Sequence, residues 1–251
     1  MKPTRTLAQT LTPDGVPLNL QEHDGEYFIR LNGRPLMSTT MTESEEALAD
    51  RACAMQPRPA HMRVLIGGLG LGYSLKRVLD LAGKAGTVHV AELLPEVVAW
   101  NREYLRAVNG HLLDDPRVAV FTEDVFALIS RAEKAPYHAI LLDVDNGPTA
   151  LVNEANARIY NRKGLGNLYR ALHPGGRIAF WSAAVEPLFL GQLARAGFIA
   201  EEFAARAHGH SRRSDHRIYL ASRRADGEPA PAPPVDKKRV HPPGPPHRRK
   251  R

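Results

Sequence analysis

Cysteine is nearly absent from this sequence of 251 residues, in which Cys53 is the single one. One cysteine excludes an internal disulfide and any metal site built on several thiolates, and it is typical of reducing compartments. The sequence also lacks an apolar run near the ~20 residues that span a bilayer, and its first residues lack the apolar core of a signal peptide. We therefore expect a cytoplasmic protein without a membrane partner.

The excess of positive charge is concentrated near the end of the chain. The formal net charge is +7, and residues 225–251 combine eight prolines and seven lysines or arginines with few apolar residues. This composition is typical of a disordered, solvated tail. Because no aromatic side chains are interleaved with the basic ones, we expect no specific nucleic-acid partner.

Ahead of this tail, the pattern predicts two units. Residues 1–60 contain the turn dipeptides Asp-Gly and Asn-Gly between short alternating runs, which predicts a β-hairpin cap of two or three strands over residues 16–38. A capping box at Thr42 and Glu45 then begins a helix. Residues 61–224 alternate apolar strands with helices, which predicts a doubly wound, mostly parallel α/β sheet. The last two strands have no helix between them, which indicates an antiparallel edge.

A glycine-rich turn follows the first strand of the larger unit. Arg63 to Gly72 read R-V-L-I-G-G-L-G-L-G, and helical spacing begins at the next residue. A strand, a glycine turn and a helix in this order place backbone N–H groups beside a ligand. A lone G-x-G-x-G also fits a plain connection. The position of Gly68, Gly70 and Gly72 directly after a buried strand favours a nucleotide or nucleoside site.

Acidic residues end the next three predicted strands. Glu92 lies 20 residues after Gly72, a spacing that suits a carboxylate accepting from both hydroxyls of a ribose. Asp124 could accept from an adenine amino group, and Asp143 lies where the reacting end of the ligand would be. Because ligands bind outside the carboxyl ends of parallel strands, these residues and the glycine turn predict a nucleoside site. Each acid also fits a second interpretation, as the cap of the following helix.

Other candidate groups carry less information. His208, His210 and His216 lie in a basic stretch without acidic or cysteine partners at ligand spacing, so we expect no metal. No lysine followed by serine or threonine ends the glycine motif, which excludes a P-loop, whereas a dinucleotide site stays open. Trp181, at the end of the fifth strand, fits packing better than stacking on a substrate.

Taken together, the motifs resemble those of spermidine synthases (polyamine aminopropyltransferases) between about Leu31 and Arg223. The glycine stretch resembles the family's first glycine motif, and A-E-L around Glu92 resembles its ribose-binding strand end. D-P-R-V followed by E-D-V resembles the stretch that ends in the adenine-side aspartate, Asp124 here. Y-H-A-I-L-L-D-V-D-N-G-P, which contains Asp143, resembles the segment with the catalytic aspartate.

This resemblance implies a methyltransferase-like Rossmann fold and a transferase of polyamine biosynthesis. The implied reaction moves an aminopropyl group from decarboxylated S-adenosylmethionine to an amine acceptor, with Asp143 as the catalytic residue. It also implies that Glu92 and Asp124 bind the nucleoside of the donor. Asp145, Asn146 and Tyr160 are implied to contact the substrate on the amine side. A homodimer remains open.

The chain departs from the family pattern on the amine side of the site. Leu71 stands where the family's glycine motif has an aspartate that helps to bind the donor's amine, and the tyrosine-bearing segment before the first strand is absent. Two alternatives therefore stay open. One is an S-adenosylmethionine-dependent methyltransferase, in which Leu71 is unremarkable. The other is a non-catalytic nucleoside-binding module, which an acid at Asp143 disfavours.

Overall fold

The computed structural model describes residues 3–55, 57–144, 156–205 and 216–227. Four of the candidate residues lie outside these ranges: Asp145, Asn146, His208 and His210. Nearly all of the predicted tail lies outside them as well.

The first part of the chain forms a four-stranded antiparallel sheet in simple order. Its strands are β1 (Arg5–Leu11), β2 (Pro17–His23), β3 (Glu26–Leu31) and β4 (Arg34–Ser38). Asp24, Gly25, Asn32 and Gly33 all have positive φ angles at the two hairpin turns, as two-residue type I′ turns require. The hairpin over residues 16–38 is confirmed, with three strands. β1 is an additional strand that the sequence pattern did not predict.

The larger sheet has seven strands. They are β5 (Arg63–Gly67), β6 (Thr87–Ala91), β7 (Val118–Phe121), β8 (Tyr137–Leu142), β9 (Leu172–Ser182), β10 (Ile199–Ala204) and β11 (Arg217–Ser222). Their order across the sheet is β10-β11-β9-β8-β5-β6-β7. β5 to β9 are parallel, whereas β11 runs antiparallel to β9 and pairs with the edge strand β10. The predicted doubly wound sheet with an antiparallel edge is confirmed. Because β5 has β8 on one side and β6 on the other, the strand order reverses there and opens a crevice at the strand ends.

Helices cover both faces of this sheet. They are α1 (Glu43–Cys53), α2 (Tyr73–Leu81), α3 (Pro95–Glu103), α4 (Arg106–Asn109), α5 (Val125–Arg131), α6 (Ala157–Tyr160), α7 (Arg162–Ala171) and α8 (Phe189–Arg195). Val64 and Ile66 pack in one core cluster with α1 and α2, whereas Leu65 packs in a second cluster with α5 and α7. A central strand buried on both faces explains its unbroken apolar run. None of the described helices is long and apolar enough to cross a membrane.

The small antiparallel sheet shares the core of the larger one. Leu18, Leu20 and Ile29 belong to the same buried cluster as Val64 and Ile66. The small sheet therefore packs above the face that carries α1 and α2, close to the carboxyl end of β5. The unit boundary expected near residue 60 stays a prediction.

Candidate active site

The glycine turn between β5 and α2 is the centre of the site. Gly68, Gly70 and Gly72 have φ angles of +89°, +51° and +89°, a region that residues with a Cβ rarely adopt. At Gly68 a Cβ would lie 2.5 Å from the carbonyl oxygen of Asp143. Glycine is therefore required there for two reasons, the backbone conformation and the close approach of the β8 end.

Two asparagines hold the outer part of this turn. The Asn101 side-chain amide on α3 donates to the carbonyl oxygen of Gly70 at 2.8 Å, and the Asn109 amide at the end of α4 donates to that of Leu71. Both asparagines are buried. The carbonyl groups of the turn thus have partners inside the protein. The sequence pattern did not identify either asparagine, because each lies more than 30 residues from the carbonyl that it binds.

Glu92 follows β6 and is 8% exposed. Its carboxylate accepts hydrogen bonds from the backbone amides of Leu69 and Leu94, each at 2.9 Å. Burial raises the pKa of Glu92, while these amide donors act in the opposite direction. Glu92 therefore joins the glycine turn to the start of α3. Glu92 is not the N-cap of α3, which is Leu94, although it accepts from the Leu94 amide. Its predicted role in binding a ligand stays a prediction.

Asp124 occupies the N-cap of α5. One carboxylate oxygen accepts from the amide of Phe126 at 2.7 Å, and the other pairs with the guanidinium of Arg158. The helix-capping interpretation therefore applies to this residue. Asp124 also lines the same cavity as the glycine turn and Glu92.

Asp143 follows β8 and contacts the glycine turn through backbone atoms. Its amide donates to the carbonyl oxygen of Gly67 at 3.1 Å, while the amide of Gly68 donates to that of Ala91 at 2.9 Å. The ends of β5, β6 and β8 are thereby linked. Asp143 lines two adjoining cavities and is one of the residues that they share.

The first cavity lies over the glycine turn and brings together Gly68, Gly70, Gly72, Glu92, Asp124 and Asp143. The second cavity lies beyond Asp143, toward the end of β9. Met41, Glu45 and Trp181 line it together with His216, whose ring centroid is 5.1 Å from that of Trp181. Trp181 thus lines a cavity as well as packing against a neighbour. The five residues predicted for the nucleoside side and Asp143, the predicted catalytic residue, therefore converge in one crevice.

Tyr160 lies elsewhere. Its side chain is buried in the cluster on the other face of the sheet, with ring centroids 6.2 Å from Phe180 and 6.0 Å from Phe189. It is not among the described residues that line the two cavities. The structure therefore does not bring Tyr160 together with Asp143, and its predicted contact with substrate stays a prediction.

The predicted capping box at the start of α1 is wrong. The Thr42 side chain makes no cap bond to the helix backbone, and its hydroxyl donates to Glu46 at 3.3 Å instead. Glu45 turns inward, is 7% exposed, and accepts from the hydroxyl of Ser44 at 2.6 Å. Glu45 lines both cavities.

The described residues contain no group of three or more histidine, cysteine, aspartate or glutamate side chains placed to hold a metal ion. His216, the one predicted histidine candidate that is described, lines the second cavity. The polar side chains of the two cavities include carboxylates, several hydroxyls, the amide of Asn156, Arg34 and His216. The carboxylates suit hydrogen-bond donors and cations.

Solved structures share this fold. A spermidine synthase in complex with the transition state analogue AdoDATO superposes with a TM-score of 0.67 at 19% identity, covering 88% of this chain and 75% of the other. A spermidine synthase from Thermotoga maritima gives a TM-score of 0.65 at 17% identity, covering 88% of this chain and 73% of the other. These similarities confirm the methyltransferase-like α/β fold.

Sequence relatives are polyamine aminopropyltransferases. One from Streptomyces coelicolor is 33% identical over 129 residues, which is 50% of this chain and 22% of that protein. One from Pyrobaculum calidifontis is 31% identical over 136 residues, which is 52% of this chain and 44% of that protein. The chain thus spans less than half the length of these curated relatives. The family model of the spermine/spermidine synthase domain matches residues 41–187, a range that holds the glycine turn and all three strand-end acids, and the chain belongs to this family.

Proposed function

We propose that this protein transfers an aminopropyl group from decarboxylated S-adenosylmethionine to an amine acceptor, most simply a polyamine. The observation that carries the proposal is the position of Asp143, which lines both cavities. A group transfer needs a donor and an acceptor on opposite sides of one reacting centre. Asp143 lies where the two cavities adjoin.

The donor side of the proposal rests on the first cavity. The Glu92 carboxylate accepts from backbone amides around the glycine turn, among them those of Leu69 and Leu94, and it would also accept from the two hydroxyls of a ribose. Asp124 is held by the amide of Phe126 and by Arg158, and it would accept from the adenine amino group. The glycine turn would allow the nucleoside to approach the main chain closely.

The acceptor side rests on the second cavity and on the charge of Asp143. A polyamine nitrogen is an ammonium at neutral pH and must lose a proton before it can attack. Asp143 would orient the ammonium and accept this proton. The nitrogen lone pair then forms a bond to the propyl carbon next to sulfur, and the electrons of the breaking C–S bond return to sulfur. The sulfonium becomes the neutral thioether of methylthioadenosine. Holding the two reactants in line supplies much of the acceleration.

Further assignments are part of the proposal. Asp145 and Asn146 closely follow Asp143 in the chain and would contact the acceptor. We also propose the division into a cap at residues 1–60, a transferase unit at 61–224 and a tail at 225–251.

The test combines binding and turnover. We expect titration calorimetry to show binding of decarboxylated S-adenosylmethionine and of methylthioadenosine, and weaker binding of S-adenosylmethionine. Asp143→Asn should lower kcat by about 10²- to 10⁴-fold, the usual contribution of a general base, and leave the affinity for methylthioadenosine within about threefold. Asp114→Asn removes an exposed acid from a surface ion pair and serves as the matched control.

Three results would contradict the proposal. Full turnover by Asp143→Asn would remove this residue from its role. Binding of only the carboxylated donor would favour methyl transfer. Binding of neither nucleoside would refute nucleoside chemistry altogether.

A further inference from the structure

Glu45 is a buried carboxylate without a cationic partner among the described residues. It lies in the first turn of α1, where the two cavities meet, and its side-chain oxygen accepts from the neutral hydroxyl of Ser44. Burial raises the pKa of Glu45. Carboxylates are seldom buried unless a cation or several hydrogen-bond donors compensate for their lost hydration. A carboxylate in this setting that opens into a cavity is suited to bind a cationic ligand.

Ser74 supplies a second, independent observation. Its side chain is 5% exposed, lines the first cavity, and has a hydroxyl with no hydrogen-bond partner in the part of the chain that the structure describes. A buried hydroxyl that lacks a partner costs free energy, so it indicates a missing ligand atom. Ser74 lies in the first turn of α2.

The first turns of α1 and α2 lie side by side. Arg77 on α2 donates to Asp50 on α1 at 2.8 Å, which joins the two helices one turn further along. Burial, and then the negative charge of Glu45, raises the pKa of the Tyr73 phenol at the start of α2. Glu45 thus acts on the residue that precedes Ser74, and both Glu45 and Ser74 line the first cavity.

We propose that Glu45 and Ser74 bind the primary ammonium of the donor's aminopropyl chain and so select the donor that lacks a carboxylate. This inference rests on the proposed function. An ammonium has three donors and a positive charge, and it would satisfy both the carboxylate and the hydroxyl. A donor that retains its α-carboxylate would bring a second negative charge close to Glu45 in a site with little water, which is unfavourable.

Of the five other acids that line the first cavity, Asp14 is exposed, Asp143 is assigned to the acceptor, and the remaining three have partners. Glu92 accepts from the amides of Leu69 and Leu94, and Asp124 pairs with Arg158. Glu123 pairs with Arg131. Near the glycine turn itself, Leu71 is apolar and offers no charge. Glu45 is thus the buried carboxylate best placed to receive a cation beside the turn.

The test compares two ligands that differ in the ammonium. Decarboxylated S-adenosylmethionine carries it, whereas methylthioadenosine lacks the whole aminopropyl chain. We expect Glu45→Gln to weaken binding of decarboxylated S-adenosylmethionine about 10- to 100-fold, the range for a lost charged hydrogen bond. Binding of methylthioadenosine should weaken by less than about twofold. Ser74→Ala should weaken binding of decarboxylated S-adenosylmethionine about threefold to tenfold. Glu46→Gln, which removes an acid from the next, more exposed position on α1, is the matched control.

A purely structural role of Glu45 predicts a different pattern. If Glu45 were only structural, Glu45→Gln would weaken the binding of decarboxylated S-adenosylmethionine and of methylthioadenosine equally. If Glu45 binds the ammonium, Glu45→Gln should also reduce the preference of the protein for the decarboxylated donor over S-adenosylmethionine. Unchanged donor affinity in Glu45→Gln would overturn the inference. Unchanged donor affinity with a raised KM for the acceptor would reassign Glu45 to the acceptor side. If the wild-type protein binds neither nucleoside, the proposed function fails, and the inference fails with it.

Discussion

Replacing Gly68 by alanine tests whether the glycine turn and Asp143 form one rigid unit. The new Cβ would lie 2.5 Å from the Asp143 carbonyl oxygen, whereas an ordinary contact begins at 3.4 Å, so the backbone has to move. A residue with a Cβ at positive φ costs about 1–2 kcal/mol. Forcing extra volume into a packed site adds about 1–3 kcal/mol. We expect Gly68→Ala to lower the free energy of unfolding by about 2–5 kcal/mol.

Gly83→Ala is the matched control for this prediction. Gly83 also has a positive φ, +75°, but no atom of the described residues lies within 4 Å of a Cβ placed there. Only the conformational cost of about 1–2 kcal/mol applies. Urea unfolding followed by circular dichroism measures the difference, with an m-value of about 3 kcal/mol/M. The unfolding midpoint of Gly68→Ala should lie roughly 1 M below that of the wild type, and the midpoint of Gly83→Ala should shift by about half as much. Equal midpoints for the two variants would refute the reasoning.

Two further predictions concern charged and titratable groups. Asp124→Ala should lower the free energy of unfolding by about 1 kcal/mol, whereas Asp124→Asn keeps a good cap for the Phe126 amide and most of the stability; chemical denaturation distinguishes them. Burial, with help from His173 and Arg63, lowers the pKa of His138 from 6.5 to about 4. Protonation therefore favours the unfolded chain, and stability should fall as the pH drops from 6.5 to about 4. His138→Gln should flatten this dependence in thermal unfolding measured against pH.

The sequence predicted the larger sheet well because its central strands are buried on both faces. Such strands read as unbroken apolar runs, and the residue after each run marks a strand end. Glu92, Asp124 and Asp143 were located by this rule alone, since the carboxyl ends of parallel strands meet at one edge. The α2 helix begins at Tyr73, directly after the glycine turn, as the sequence predicted.

The parts that the sequence did not predict depend on contacts between distant residues or on local irregularities. β1 has a bulge between Thr6 and Ala8, which interrupts the alternation that would have revealed it. The helical segment before β9 is divided into α6 and α7, because Asn161 caps α7 by accepting from the amide of Gly164. The bulge in β1 and the cap at Asn161 each depend on a single residue, and the periodicity of apolar residues does not reveal such features.

In the site, too, the sequence did not predict contacts between residues that are distant in the chain. Whether Glu45 faces solvent or a cavity is decided by how α1 packs beside α2, and a capping pattern of four residues does not carry that information. The asparagines that hold the glycine turn are likewise recognisable only after α3 and α4 have been placed. Residues positioned by the sheet were thus predictable, whereas residues positioned by helix packing were not.

Two contacts between the glycine turn and Asp143 run through main-chain atoms. The amide of Asp143 binds Gly67, and its carbonyl oxygen packs under Gly68, while the side chain takes no part in either contact. A different side chain at position 143 would therefore leave both contacts in place. The side chain at this strand end can thus be exchanged without loss of the two main-chain contacts that join it to the floor of the first cavity.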